Sequence, residues 1–452
     1  MSNRRLQQLV TCAAFAGALI ARPGAVRSDE RGEDAGTEAE AQPIGGATSS
    51  LTSPPPETLR ACSFRRDLCV HGSSGPQVLV ALASVERTWD LAVGPLALPP
   101  PERGLGSGVY DVYLVPILDS PGMTYLRERD LLGTPDRASA FSIVDARLGG
   151  ASLDRALARE LFRAIAFRTI PGTDETTARA EASALTRLAV PSALAAPDGA
   201  EILQAHPERG LYPLTRMIPE GYRRRAADGA GIFFTWLDDT YAQRPGGVVR
   251  ALWALSWTRS PKDASTFAEN PDAFDILREN LKGALSSGST INDVLLAFAV
   301  ARAFTGNPLS ESAELGAIGA PLTADFDLAW PATGTTRSVA MSAGLAPTGT
   351  TTIRIRRAGA PAGTRLRVEI KWEELAKLRW MALKLDATGA ITQRLPFGVA
   401  DKATECALSI GELDASESVV LVGTNVSTWD APFDPDTTPL EPHGWVVAYA
   451  SE

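Results

Sequence analysis

Apolar residues recur at helical spacing through much of the chain between residues 77 and 304. In the segment 77–93, Val78, Val85 and Trp89 would lie on one face of a helix. Similar patterns predict six further helices, at 152–168, 175–190, 221–242, 248–257, 272–286 and 290–304. Two segments rich in β-branched and aromatic residues predict strands, at 110–117 and 141–148. This part of the chain therefore combines helices with strands.

From about residue 335 the pattern changes to short apolar segments separated by turn sequences. Seven of these segments predict strands, at 337–343, 350–358, 365–372, 379–386, 406–413, 418–425 and 444–450. The segments 360–363 and 386–389 have the alanine, proline, glycine and aspartate composition of turns. Seven strands at this spacing predict an antiparallel β-sandwich domain over residues 325–452, preceded by a linker at 306–324.

The first residues have the features of an export signal. Arg4 and Arg5 precede an apolar run of about 13 residues, which is too short to span a bilayer. We expect a signal peptide at 1–28, cleaved after Ala21 or Ser28, and a periplasmic, outer-surface or extracellular protein. Lipoprotein anchoring at Cys12 is disfavoured, because Cys12 lies near the start of the apolar run and a lipidated cysteine should follow it. No transmembrane segment is expected in the mature chain.

Charge and cysteine content narrow the function classes. The net charge of −9 leaves no basic excess to neutralise phosphates, which argues against nucleic-acid binding. Residues 29–58 are acidic and rich in proline, and predict a disordered tether. In an oxidising compartment, Cys62 and Cys69 favour a local disulfide over a metal or redox pair. Cys406 lies in a predicted strand, and we expect a buried free thiol there.

The candidate chemistry lies in residues 157–167. Arg159-Glu160-Leu161-Phe162-Arg163 has the spacing of the zinc-peptidase motif H-E-x-x-H, in which two histidines bind zinc and the glutamate activates water. A guanidinium has no lone pair to donate, so neither arginine can bind zinc. The chain has only three histidines, which are far apart in sequence: His71, His206 and His443. The alternative interpretation is a basic stripe, formed with Arg155, on the solvated face of an ordinary helix.

The surroundings of this motif resemble those of a known enzyme class. It follows the predicted strand 141–148, and Glu181 lies in the next predicted helix. Together with the segments 61–72, 110–115 and 346–374, these features resemble a group of exported bacterial metallopeptidases of zincin (gluzincin-like) type. In this chain the motif has degenerated to R-E-x-x-R. The resemblance implies an α+β zincin-like domain at 59–305, with an α/β lobe (59–190) and a helical lobe (191–305), in front of the β-sandwich.

The resemblance also implies that Glu181 occupies the position of the third zinc ligand. Two arginines carry the same charge as a zinc ion, so we expect Glu181 to pair with Arg159 or Arg163. We expect no cofactor and a catalytically inactive, envelope-associated or binding protein with a protein, peptide or glycan partner. The alternatives are an active hydrolase or metallopeptidase with an unrecognised site, and a purely structural envelope component. An acidic loop also contains weak calcium candidates, Asp430, Asp434, Asp436 and Glu441.

Overall fold

A computed structural model describes residues 54–56, 59–104, 107–118, 120–130, 137–190, 198–212, 220–256, 273–280, 290–318, 324–357, 360, 363–399, 403–411, 413, 418–427 and 441–452. The predicted signal peptide and most of the predicted tether lie outside these residues, as do Asp430, Asp434 and Asp436. Residues 45–452 form one compact unit of mixed α/β structure. Within the described ranges, no helix has both the length and the apolar content to cross a membrane.

A five-stranded mixed sheet forms the N-terminal part. Its strands are β1 (Leu59–Cys62), β2 (Leu68–Gly72), β3 (Tyr110–Val115), β4 (Gly122–Asp130) and β5 (Arg137–Asp145), in the order β1-β2-β3-β5-β4. The three central strands run parallel, and the two edge strands, β1 and β4, run antiparallel to their neighbours. The helix predicted at 77–93 is α1, which connects β2 to β3 and packs its apolar face into the core.

Ten α-helices are described. Their bounds are α1 Gly75–Val93, α2 Gly150–Thr169, α3 Glu175–Ala189, α4 Ala200–Ala205, α5 Glu220–Gly229, α6 Gly231–Tyr241, α7 Gly247–Ser256, α8 Ala273–Asn280, α9 Ile291–Ala303 and α10 Ala313–Ala317. The helix predicted at 221–242 is divided into α5 and α6. The division falls at Ala230, between Gly229 and Gly231, and glycine weakens a helix. The backbone of Gly199 also approaches closely here, since a Cβ at Gly229 would lie 2.3 Å from its carbonyl oxygen.

The start of α2 differs from the sequence prediction. Ser152 and Asp154 are residues of the type that caps helices, at the start of the predicted helix 152–168. Neither is the N-cap, because α2 begins at Gly150, after Gly149 in extended conformation. The Asp154 carboxylate instead accepts hydrogen bonds from Ser84 and Arg87, which belong to α1. The Asp154 side chain therefore binds α1 and does not cap α2.

Two sheets form the C-terminal part, an arrangement compatible with a β-sandwich. Their strands are β6 Phe326–Ala329, β7 Thr336–Leu345, β8 Thr350–Arg356, β9 Leu366–Trp372, β10 Leu378–Leu385, β11 Ile391–Pro396, β12 Glu405–Ile410, β13 Ser418–Asn425 and β14 His443–Ser451. The sheet orders are β11-β10-β13-β8-β6 and β12-β9-β14-β7. Trp380 and Trp445, one from each sheet, meet edge to face at 5.5 Å between ring centroids. All seven predicted strands are present, and β6 and β11 are additional.

The N-terminal and C-terminal parts are in direct contact. Apolar side chains of α9 pack against β10 and β13 in one cluster, which contains Ala299, Val300, Phe304, Leu383, Leu385, Val420 and Val422. Beside them, Arg302 is fully buried. Its Nε donates to Gln204 Oε1 at 2.6 Å, Nη2 donates to the Leu203 carbonyl, and Nη1 donates to Thr350 Oγ1 at 3.3 Å. One guanidinium therefore joins α4 and α9 to strand β8.

Candidate charged site on helix α2

Helix α2 carries Arg159, Glu160 and Arg163 into the interior. Their exposed fractions are only 1%, 1% and 5%. The interpretation of this stretch as a solvated basic stripe is therefore wrong for these residues. The helix packs against β5, α1 and α3, so even its polar positions face other elements of the fold. Three ionised groups in such a setting require compensating partners, because an unpaired buried charge is strongly destabilising.

Arg159 is at the centre of the charged network. Its Nε donates to Glu160 Oε1 at 3.0 Å, and its Nη1 lies 2.8 Å from Asp198 Oδ2 and 3.0 Å from Asp228 Oδ2. Burial works against the charge of Arg159, but the neighbouring carboxylates outweigh it and raise the guanidinium pKa above its ordinary value. The residue at the first ligand position of the motif is thus a permanently charged donor surrounded by three carboxylates.

Asp228 and Arg179 complete this network, and sequence reasoning missed both. Asp228, on α5, has no exposed surface, and Arg179, on α3, is 2% exposed. Arg179 Nε and Nη2 donate to the two oxygens of Asp228 at 2.9 and 2.8 Å, a bidentate pair. Asp228 therefore bridges Arg159 and Arg179. No local signal identifies it, since it follows three arginines in an ordinary helical segment.

Glu160 is held on both carboxylate oxygens. Oε1 accepts from Arg159, and Oε2 accepts from Thr124 Oγ1 of β4 at 2.8 Å. Strand β4 approaches closely here, because a Cβ at Gly122 would lie 2.8 Å from Glu160 Cγ. Burial alone would raise the pKa of Glu160, but the charges of Arg159 and Arg179 outweigh burial and lower it. Glu160 is accordingly an ionised structural carboxylate.

Glu181 lies on α3, the helix after α2, as expected. It is 1% exposed, and its Oε2 accepts a hydrogen bond from Trp253 Nε1 at 2.7 Å. Trp253 belongs to α7 and is itself fully buried. The expected ion pair between Glu181 and Arg159 or Arg163 stays a prediction. The carboxylates placed against Arg159 are those of Glu160, Asp198 and Asp228.

Arg163 is in a different situation from Arg159. It is 5% exposed, yet its guanidinium makes no hydrogen bond and no ion pair within 4.0 Å among the described residues. The guanidinium carbon lies 5.5 Å from the centroid of the Phe167 ring. Burial, followed by the like charge of Arg179, lowers the pKa of Arg163. The second ligand position of the motif thus holds a buried cation that faces a pocket.

These residues do not fit a zinc ion. Both ligand positions hold guanidinium groups, and the Arg159 guanidinium forms ion pairs with three carboxylates. Across the described ranges, no group of three or more histidine, cysteine or acidic residues is arranged to hold a metal. The histidines pair elsewhere, with His71 Nε2 2.9 Å from Asp111 Oδ1 and His443 Nδ1 3.0 Å from Glu373 Oε2. Glu441 is exposed, and its three companion calcium candidates lie outside the described residues.

The cysteines are arranged as the sequence predicted. Cys62 and Cys69 are partners across the β1–β2 pair and form a disulfide, with 4.0 Å between their Cα atoms. Cys406 is a buried free thiol on β12. Burial raises the pKa of Cys406 to about 12, so the thiol stays protonated at neutral pH.

Comparison with known proteins adds little to this description. No family model matches the chain, and no curated protein matches it. Among solved structures, the chain is similar to the pre-peptidase C-terminal domain of a collagenase from Bacillus anthracis. The match has 8% sequence identity and a TM-score of 0.18, and it covers 29% of this chain and 97% of that chain. A TM-score of this size carries no argument about fold or function.

Proposed function

We propose that this chain is an exported, zincin-like protein in which a buried charge network replaces the catalytic machinery, and that it acts by binding. The observation that carries the proposal is the position of Arg159. At the first ligand position of the motif, its guanidinium contacts the carboxylates of Glu160, Asp198 and Asp228. The guanidinium supplies positive charge to the surrounding carboxylates, as a metal ion would. It cannot activate water or polarise a carbonyl as a metal ion does.

The arrangement of elements supports the zincin-like part of the proposal. Helix α2 directly follows β5, as the active-site helix of a zincin follows a strand of its sheet. Glu160 of α2 faces β4, and Glu181 is buried on the next helix, α3. The disulfide between Cys62 and Cys69 supports export, because such bonds persist in oxidising compartments.

The state of Glu160 supports a binding role over peptidase chemistry at this site. A general base needs an oxygen within hydrogen-bond reach of the water that it activates. Both oxygens of Glu160 already accept from protein donors, and the side chain is 1% exposed. Its pKa is lowered as well, which makes it a weaker base than an ordinary glutamate. The remaining role for the fold is recognition of a protein, peptide or glycan partner.

Zinc uptake and peptide hydrolysis test this proposal together. Purified wild-type protein should take up no stoichiometric zinc in equilibrium dialysis and should not hydrolyse casein. The double variant R159H/R163H restores two imidazoles one helical turn apart and should take up about one zinc ion. The variant R155H is the matched control, since it adds a histidine on the same helix outside the motif.

Two results would overturn the proposal. One is stoichiometric zinc in the wild type, and the other is casein hydrolysis that Glu160→Gln abolishes. Hydrolysis that survives Glu160→Gln would instead favour the alternative of an active hydrolase with a separate site. If this protein is found in the native envelope fraction but captures no partner from it in a pull-down, the purely structural role is favoured.

A further inference from the structure

Three buried arginines on α2 and α3 differ in which groups compensate their charge: Arg159, Arg163 and Arg179. Arg159 contacts three carboxylates, and Arg179 makes a bidentate pair with Asp228. Arg163 is 95% buried, and within the described residues no acceptor lies within hydrogen-bond reach of its guanidinium. Its Nε is shielded from solvent and makes no hydrogen bond, which costs free energy unless a ligand supplies an acceptor. The fold holds this cation in place beside an open space.

That space is a pocket between the C-terminal end of α2 and the start of α3. Its lining consists of Arg163, Ala166, Phe167, Ile170, Pro171, Thr173, Glu175 and Ala178. The pocket is partly open to solvent, so a ligand can place a carboxylate beside Arg163 while its remaining atoms extend towards the opening. Most of the wall is apolar, and Arg163 is the basic group in it.

Arg163 is the group in the pocket lining that can bind an anion. The pocket lies at the N-terminal end of α3, where the Asp174 side chain caps the helix by accepting from the Thr177 backbone N–H and Glu175 lies in the first turn. Glu175 is the acidic group in the lining, and it faces Arg179 at 3.9 Å and Arg224 at 3.7 Å. The charge of Glu175 also acts on Arg163, but no ion pair forms between them, and Arg163 shares this carboxylate with Arg179 and Arg224. Thr173 contributes a hydroxyl to the lining.

We propose that this pocket binds a small carboxylate that carries a short apolar group. The Arg163 guanidinium holds the carboxylate through paired N–H donors, and Phe167, Ile170 and Ala178 contact the apolar part. A free branched-chain acid and the C-terminal residue of a peptide share this chemistry. The inference deepens the proposed binding role and rests on it, because it gives that role a ligand class.

Isothermal titration calorimetry on the full mature chain tests the inference with two probes. 4-Methylpentanoate represents a free acid, and N-acetyl-leucine represents a peptide C-terminus. We expect saturable one-to-one binding, and tighter binding of one probe identifies the source of the carboxylate. The neutral 4-methylpentanamide should bind at least about tenfold more weakly, because it loses the charge-assisted hydrogen bonds. Sodium chloride at the same ionic strength should produce no saturable heat.

Three variants separate the pocket from the rest of the molecule. Arg163→Gln should weaken acid binding by about tenfold or more, since a neutral amide replaces the guanidinium. Ala178→Leu leaves Arg163 in place, fills the pocket and should also abolish binding. Arg155→Gln is the matched control on the same helix, and its pairing is with Asp198 outside the pocket. Its affinity for the acid should equal that of the wild type.

The inference fails if the wild type binds neither acid, if the amide binds as tightly as the acids, or if Arg163→Gln and Ala178→Leu both bind like the wild type. These outcomes are independent of the zinc and casein tests, which address the motif positions as metal ligands and Glu160 as a base. Loss of acid binding would leave a non-catalytic protein with its ligand elsewhere. Hydrolysis dependent on Glu160 would overturn the proposed function whatever the pocket binds.

Discussion

Nη1 of Arg159 lies 3.0 Å from Oδ2 of Asp228, and neither side chain is more than 2% exposed. The same carboxylate is held by both ends of the Arg179 guanidinium. Helices α2, α3 and α5 are thus tied together by one aspartate and two arginines in a place with little access to water. In such surroundings the removal of one member leaves the other charges without compensation.

Asp228→Asn should lower the free energy of unfolding by about 3–5 kcal/mol, because it leaves two buried guanidinium groups short of a negative partner. Urea denaturation at neutral pH measures this change. The control is Glu201→Gln, the same change of acid to amide in the exposed pair with Arg225. That variant should lose less than about 1 kcal/mol. Equal losses in the two variants would show that the buried network does not contribute as described.

Gly122→Ala tests the contact between strand β4 and Glu160. The added Cβ would lie 2.8 Å from Glu160 Cγ and 3.2 Å from Cδ, so the strand or the side chain must shift. Overpacking of this kind costs about 1–3 kcal/mol, and thermal unfolding should show a lower Tm. Gly149→Ala is the matched control, since nothing lies within 4 Å of its added Cβ. A Tm unchanged in both variants would contradict the close approach.

Acid should destabilise the wild type partly through Glu160. Its folded-state pKa is lowered below the ordinary value of 4.5, so the unfolded chain binds the proton more readily. The stabilisation is complete above about pH 4.5 and is lost as the pH falls through the folded-state pKa. Glu160→Gln should therefore flatten the rise of stability with pH in this acidic range. Denaturation curves between pH 2 and pH 6 measure the slope, and Glu201→Gln should retain the wild-type slope.

Arg302→Lys should destabilise the contact between the N-terminal and C-terminal parts. Burial lowers the pKa of Arg302 to about 10, so the guanidinium is charged at neutral pH and donates to three acceptors. An ammonium group does not reproduce the planar fork of donors. We expect a loss of about 1–3 kcal/mol in urea denaturation. Arg394→Lys, in an exposed pair with Glu311, should remain near the wild-type stability.

Long periodic segments were the parts of the fold that the sequence predicted well. The helix at 77–93 and the seven C-terminal strands have strong patterns and are present. Strand β4 was missed because it is an edge strand with the polar sequence LRERD at its end. A register shift between Leu126 and Glu128 also breaks the alternation on which such predictions depend. The division of the helical segment 221–242 at Ala230 could have been predicted from Gly229 and Gly231, which flank it.

Only the part of the candidate site that lies on helix α2 was predictable from the sequence. The spacing of Arg159, Glu160 and Arg163 on one helix follows from little more than one helical turn of sequence. Asp228 is separated from Arg179 by 49 residues, and the pair forms only when α3 and α5 pack together. The difference between a paired Arg159 and an unpaired Arg163 likewise depends on which helices cover each position. No local pattern in a single sequence predicts how these helices pack.

The contact of α9 with strands β10 and β13 affects the order in which this chain can mature. Val300 and Phe304 are synthesised before Leu383 and Val422, the residues whose side chains pack against them. A nascent chain that has reached only the end of α9 therefore presents an uncovered apolar surface and a guanidinium that lacks its acceptor on Thr350. The helical part reaches its final state only after the last sheets have formed, so a truncated gene product should aggregate where the whole chain folds.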